Sequence, residues 1–177
     1  MELMSGATIR AVPRGPGRDA YLPLLHLADD SVEQVRGYYQ TGALYALDDQ
    51  DGKPIGVVLA IDRPGGAVEL KAVAVDASWH GQGVGTRMLT ALLERLRASG
   101  VKRVIVGTSS CGIGQLAYYQ KAGFRLWKTE RDFFSPERGY PEGGEENGIP
   151  RRDMVWMDQE LGDLEIAGRR GPPQVMW

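Results

Sequence analysis

Three glycines on alternate positions, Gly81, Gly83 and Gly85, separate the apolar run Val73-Ala74-Val75 from the start of an amphipathic segment. A strand, a glycine-rich turn and a helix must follow one another there, because only glycine turns this freely and the next residues repeat at helical spacing. Val84, Met88, Leu89, Leu92, Leu93 and Leu96 make one apolar stripe, and Gly100 is set to stop the helix. The first N–H groups of such a helix have no intrahelical acceptor, and its dipole adds partial positive charge, so an anion such as a phosphate suits the turn.

Phosphate-binding turns differ in their details. A dinucleotide fold needs Gly-x-Gly-x-x-Gly and an acid about 20 residues on, but the next strand here ends Ile105-Val106-Gly107-Thr108 without one. A Walker loop needs Gly-Lys-Ser/Thr, and this chain has Gly85-Thr86-Arg87. His80-Gly81-Gln82-Gly83-Val84-Gly85 instead resembles the Arg/Gln-x-x-Gly-x-Gly/Ala signature of the GNAT acetyltransferases, with His80 at the first position. One helix and one strand later, Leu116-Ala117-Tyr118-Tyr119-Gln120-Lys121-Ala122-Gly123-Phe124 is similar to that family's aliphatic-Tyr-x-x-x-Gly-Phe element. The likeness runs from Thr8 to about Leu161, and the ending Asp132-Phe133-Phe134 with Glu145 to Met154 resembles a bacterial subgroup.

The resemblance implies an α/β (α+β) fold: a mixed, mostly antiparallel sheet of about seven strands, flanked by about four helices and splayed between strands four and five. It implies acetyl-CoA as cosubstrate, held by the turn residues His80, Gly81, Gln82, Gly83, Val84, Gly85 and Thr86, by the backbone of Val73 and Val75, and near Ser110, where the family often carries Asn. It further implies an N-acetyltransferase that moves the acetyl group to a primary amine of a small molecule or peptide by direct transfer in a ternary complex. A non-catalytic acyl-CoA-binding module and a non-amine acceptor stand as alternatives. Tyr119 is the candidate acid for the leaving thiolate, since a phenol and a thiol have comparable proton affinities. Tyr118 is expected to be structural. Glu69 is the candidate base, and strand alternation would set Glu69, Lys71, Val73 and Val75 on one face. The competing reading of Glu69 is a surface pair with Lys71, worth less than ~1 kcal/mol.

The remaining segments fit one domain over residues 1–161. Strands are expected at Thr8 to Val12, Ala43 to Leu47, Ile55 to Ile61, Val68 to Val75, Val101 to Val106, from Phe124, and at Arg152 to Met157. The Val101 to Val106 strand should be buried on both faces. Helices are expected from Asp19 to Ala28, with Pro23 disturbing the first turn, from a Ser31/Gln34 capping box, and from Ile113 to Lys121. Ser135 to Gly148 reads as a long surface loop, and residues 162–177 as a mobile tail. A net charge of −2 without basic runs gives no motive for nucleic-acid binding. No window approaches the ~20 apolar residues of a membrane span. No secretory signal opens the chain, so a cytoplasmic protein is expected, and the lone Cys111 agrees. Two scattered histidines suggest no metal site, and His26 should be solvated on the polar side of its helix. A homodimer is compatible with the resemblance.

Overall fold

A computed structural model describes residues 9–162; the expected tail lies almost wholly outside the described residues. The strands are β1 (Arg10–Val12), β2 (Ala43–Asp48), β3 (Pro54–Arg63), β4 (Ala67–Val75), β5 (Arg103–Ser109), β6 (Arg125–Glu130), β7 (Glu145–Glu146), β8 (Ile149–Pro150) and β9 (Met154–Glu160). The helices are α1 (Leu22–Ala28), α2 (Val32–Tyr38), α3 (Val84–Ala98) and α4 (Ile113–Lys121). Seven strands join one sheet in the order β1-β2-β3-β4-β5-β9-β6, while β7 and β8 form a separate ribbon. Every pairing in the large sheet is antiparallel except β4 with β5.

Each face of the sheet carries its own core. On one side α3 and α4 pack onto Val58, Ala60, Val68, Leu70, Val104 and Val106. All six residues of the α3 stripe are buried there, each contributing about 1.5–3 kcal/mol. On the other side α1 and α2 cover Val57, Leu59, Ala72 and Ala74.

Those two sets reveal an irregularity that simple alternation conceals. Leu59 lies opposite Ala72, and Ala60 lies opposite Leu70, so Lys71 is an extra residue bulged out of β4. A bulge of this kind reverses which way the following side chains point. Val68 and Leu70 therefore join the α3 core, whereas Ala72 and Ala74 join the α1 and α2 core. The shared face expected for Glu69, Lys71, Val73 and Val75 is thus corrected. Glu69 pairs with Ile61, at the edge of the α1 and α2 core, while Val73 and Val75 pack against the α3 core.

Smaller expectations also change. α1 starts at Leu22 with Pro23 in its first turn, and Pro16–Tyr21 forms a 3-10 segment before it. Ser31 caps α2 by accepting from the Gln34 N–H at 3.3 Å, but the Gln34 side chain bonds the Arg138 carbonyl, so the reciprocal half of the box is missing. β5 is buried at Val104 and Val106 and only partly at Ile105, because its other face borders the opening described below. The expected Ser135 to Gly148 loop holds a 3-10 turn and half of the β7–β8 ribbon.

One buried cation fixes the entry to α1. Arg18 is 2 % exposed and donates to the carbonyls of Tyr39, Gly42, Val12 and Pro13 at 2.8, 2.9, 3.0 and 3.2 Å. Desolvation lowers its pKa, yet four carbonyl dipoles take the place of a carboxylate. Arg18→Met keeps the stem and leaves those acceptors without a donor, and should cost about 2–4 kcal/mol of stability by chemical denaturation. A loss below about 1 kcal/mol would show that the carbonyls find other partners.

Candidate active site

The parallel pairing of β4 with β5 runs only from Ala67 opposite Arg103 to Leu70 opposite Val106. Beyond it β4 stays with β3 as far as Val75, and β5 stays with β9 as far as Ser109. The edge of β4 from Lys71 to Val75 that faces β5 consequently has no strand partner. A cleft of about 290 Å³ opens beside this gap. Its walls come from the end of α1, from Glu69 to Val73 of β4, from Gly107 to Ser109 of β5, and from Gln115 and Tyr119 of α4. Phe134, Tyr140, Glu146, Arg151, Met154 and Trp156 close its far side.

The glycine turn braces itself and leaves its backbone free. The His80 Nε2–H donates to the Val75 carbonyl at 2.8 Å, and Gln82 donates to the Ser78 carbonyl at 2.9 Å. Asp76 Oδ1 accepts from the Ser78 N–H at 2.9 Å. Gly81 and Gly83 have φ of +74° and +75°, and Gly83 is the N-cap of α3 with no side chain capping the helix. A Cβ at either position would meet nothing within 4 Å, so glycine is required there by the backbone angle rather than by crowding. Gly85 differs, because a Cβ there would lie 3.4 Å from the Tyr118 hydroxyl. That hydroxyl donates to the Gly85 carbonyl at 2.7 Å and ties α4 to the first turn of α3. Tyr118 is accordingly structural, and burial pushes its pKa up to about 12.

Both residues expected to act in proton transfer line the one cleft. Tyr119 is 6 % exposed and packs edge-on against Phe124, with ring centroids 5.7 Å apart. Burial, followed by the neighbouring Tyr118, raises its pKa well above the ordinary phenol value. Glu69 is 3 % exposed and ion-paired with Arg63. The alternative of a Glu69–Lys71 surface pair is corrected, since the bulge carries Lys71 to the Tyr38 ring, 5.4 Å from its centroid.

Ser110 lies on the turn after β5, where its N–H donates to the Asp153 carbonyl at 2.9 Å, while Ser109 borders the cleft. His26, expected in solvent, belongs to the cleft wall. Arg63 and Arg151 were not singled out by the sequence, because an arginine at a strand end or in a loop carries no pattern of its own. Cys111 is buried with its sulfur 2.9 Å from Ser109 Oγ. Among the described residues no group of three or more His, Cys, Asp or Glu side chains is placed to hold a metal ion, and no helix is long and apolar enough to cross a membrane.

Comparison with known proteins agrees with this geometry. A profile of the "Acetyltransferase (GNAT) family" matches residues 17–124. The Bacillus subtilis protein named "Uncharacterized N-acetyltransferase YvbK" is 36% identical over 143 residues, covering 81% of this chain and 90% of that protein. A GNAT family acetyltransferase from Elizabethkingia anophelis with acetyl-CoA bound superposes with a TM-score of 0.78 at 31% identity, over 88% of this chain and 99% of the other. An acetyltransferase of Bacillus subtilis in complex with CoA gives 0.77 at 32% identity, over 86% and 97% of the two chains. The unpaired edge of β4 and the uncapped start of α3 are groups that an extended, anionic cosubstrate would satisfy. The chain belongs to the GNAT acetyltransferase family and is an acetyl-CoA-dependent acyltransferase.

Proposed function

We propose that the enzyme acetylates a primary amine of a small molecule or peptide by direct transfer in a ternary complex, in the cytoplasm. The observation that carries this reading is the meeting of Glu69, from β4, and Tyr119, from α4, on one cleft at the parting of β4 and β5. Acetyl-CoA supplies the activated acyl group. The free N–H groups of Gly83, Val84, Gly85 and Thr86, framed by His80, Gly81 and Gln82, would hold its pyrophosphate against the positive end of α3. The backbone of Val73 and Val75 would pair with the pantetheine as a further strand would, and the Val75 N–H would polarise the thioester carbonyl. Ser110 would stand near the same arm.

Attack requires the amine in its neutral form, so Glu69 would accept its proton, directly or through water. Tyr119 stays protonated because burial disfavours the phenolate. It would donate to the sulfur as charge develops there.

Gly83→Asp introduces bulk, a negative charge and an unfavourable positive φ, and should abolish measurable acetyl-CoA binding in calorimetry. Undiminished affinity in the folded variant would reject this turn as the phosphate site. Tyr119→Phe should keep acetyl-CoA affinity while kcat falls by up to ~10²–10⁴. In the wild type, ionisation of Tyr119 should cause no alkaline loss of rate below about pH 10. Glu69→Gln should be slow at neutral pH and recover as rising pH deprotonates the amine. Its defect persisting unchanged at high pH would remove Glu69 from proton transfer. Release of free thiol, screened across polyamines, aminoglycosides, amino acids and peptides, identifies the acceptor.

A further inference from the structure

The residue least explained by the reading above is Arg63. It ends β3, is 43% exposed, and lies across the Pro64–Gly66 turn from β4. Arg63 pairs in register with Ala67 and Ile61 with Glu69, so Arg63 and Glu69 are diagonal neighbours on one face. Both precede the bulge at Lys71, and the face reversal does not separate them. Arg63 Nε donates to Glu69 Oε2 at 2.5 Å, and Arg63 Nη2 contacts that same oxygen. Both Arg63 contacts fall on Oε2, which leaves Oε1 outside the ion pair, and Glu69 lines the cleft.

A carboxylate this deeply buried needs a partner for its charge. Other charged or titratable groups on the same cleft are His26, Asp29 and Asp30 at the end of α1, Lys71 on β4, and Tyr119 on α4. Tyr140, Glu146 and Arg151 complete the set. Arg151 is taken by Asp30, and the Lys71 ammonium rests on the Tyr38 ring. Arg63 is the cation in direct contact with Glu69.

We propose that Arg63 is a positioning residue for acetyl transfer: it fixes Glu69 through Oε2, so that Oε1 receives the proton of the acceptor amine. This rests on the assignment of Glu69 as base. As the amine nitrogen bonds to the acyl carbon, its N–H bond breaks and an O–H bond forms at Oε1, while the acyl C–S bond breaks and the leaving sulfur takes the Tyr119 proton. The proton then passes from Oε1 to water, and water reprotonates Tyr119.

The test is a double-mutant cycle on kcat, with Arg63→Gln, Glu69→Gln and the pair, followed from pH 6 to 9 with the acceptor found in the screen. Arg63→Gln should lower kcat by about 10-fold to 100-fold while leaving the KM for acetyl-CoA in place. The double variant should be no slower than Glu69→Gln alone. Arg63→Lys, which returns the charge but not the two-contact grip, should recover part of the rate. Arg63→Met serves as the second neutral variant should Arg63→Gln fail to fold. Multiplicative losses in the double variant, or a wild-type rate in Arg63→Gln, would overturn the role of Arg63 and leave Glu69 as base. A wild-type rate in Glu69→Gln would overturn the base assignment itself, and the inference with it.

Discussion

The site depends on a pairing that stops. β4 and β5 share four residue pairs and then part, each keeping its outer neighbour, β3 on one side and β9 on the other. Because those outer ladders continue, the sheet remains whole on either side of a wedge. The inner backbone groups of β4 beyond Leu70 are left for something that is not a strand, and buried backbone groups demand partners. The crossover through α3 then returns a helix start to the open end of the same wedge. An extended molecule with an anionic end is complementary to both features at once.

A single extra residue decides which side chains meet there. Without the bulge at Lys71, Leu70 and Ala72 would point to the same side, and one of the two cores would lose its contribution from β4. With it, the first half of β4 sends apolar residues toward α3 and sends Glu69 toward the face of α1. In the second half the parity is exchanged, with Val73 and Val75 against the α3 core and Ala72 and Ala74 in the core of α1 and α2. Glu69 is one of three polar or charged side chains buried among the described residues, beside Arg18 and Ser31. Each is answered differently: Arg18 by carbonyls, Ser31 by the backbone N–H of Gln34, and Glu69 by a full opposite charge.

What the sequence makes legible is what local chemistry decides. The α3 stripe, the Ile113 to Lys121 boundaries of α4 and the positive-φ stop at Gly100 follow from residues within a turn or two of one another. The glycine turn is legible for the same reason. The bulge is not, since an unpaired residue exists only relative to a partner strand, and Lys71 resembles any strand residue. The position of β9 between β5 and β6 is likewise a matter of distant register. His26 shows the limit of reasoning by helix face: its polar side is real, but that side borders the cleft rather than bulk water. The contact of Glu69 with Arg63 spans a turn whose geometry is local, yet it emerges only once both residues are seen to precede the reversal.

Tyr118 and Tyr119 are consecutive residues of one short helix whose hydroxyls answer to different places, one clasping the Gly85 carbonyl and the other bordering the cleft. A single peptide unit joins them, and their rings pack 5.0 Å apart. The opening turn of α3 is therefore tied to α4 beside the buried phenol. The two ends of the wedge are thus joined by side chains of one short helix as well as by the sheet.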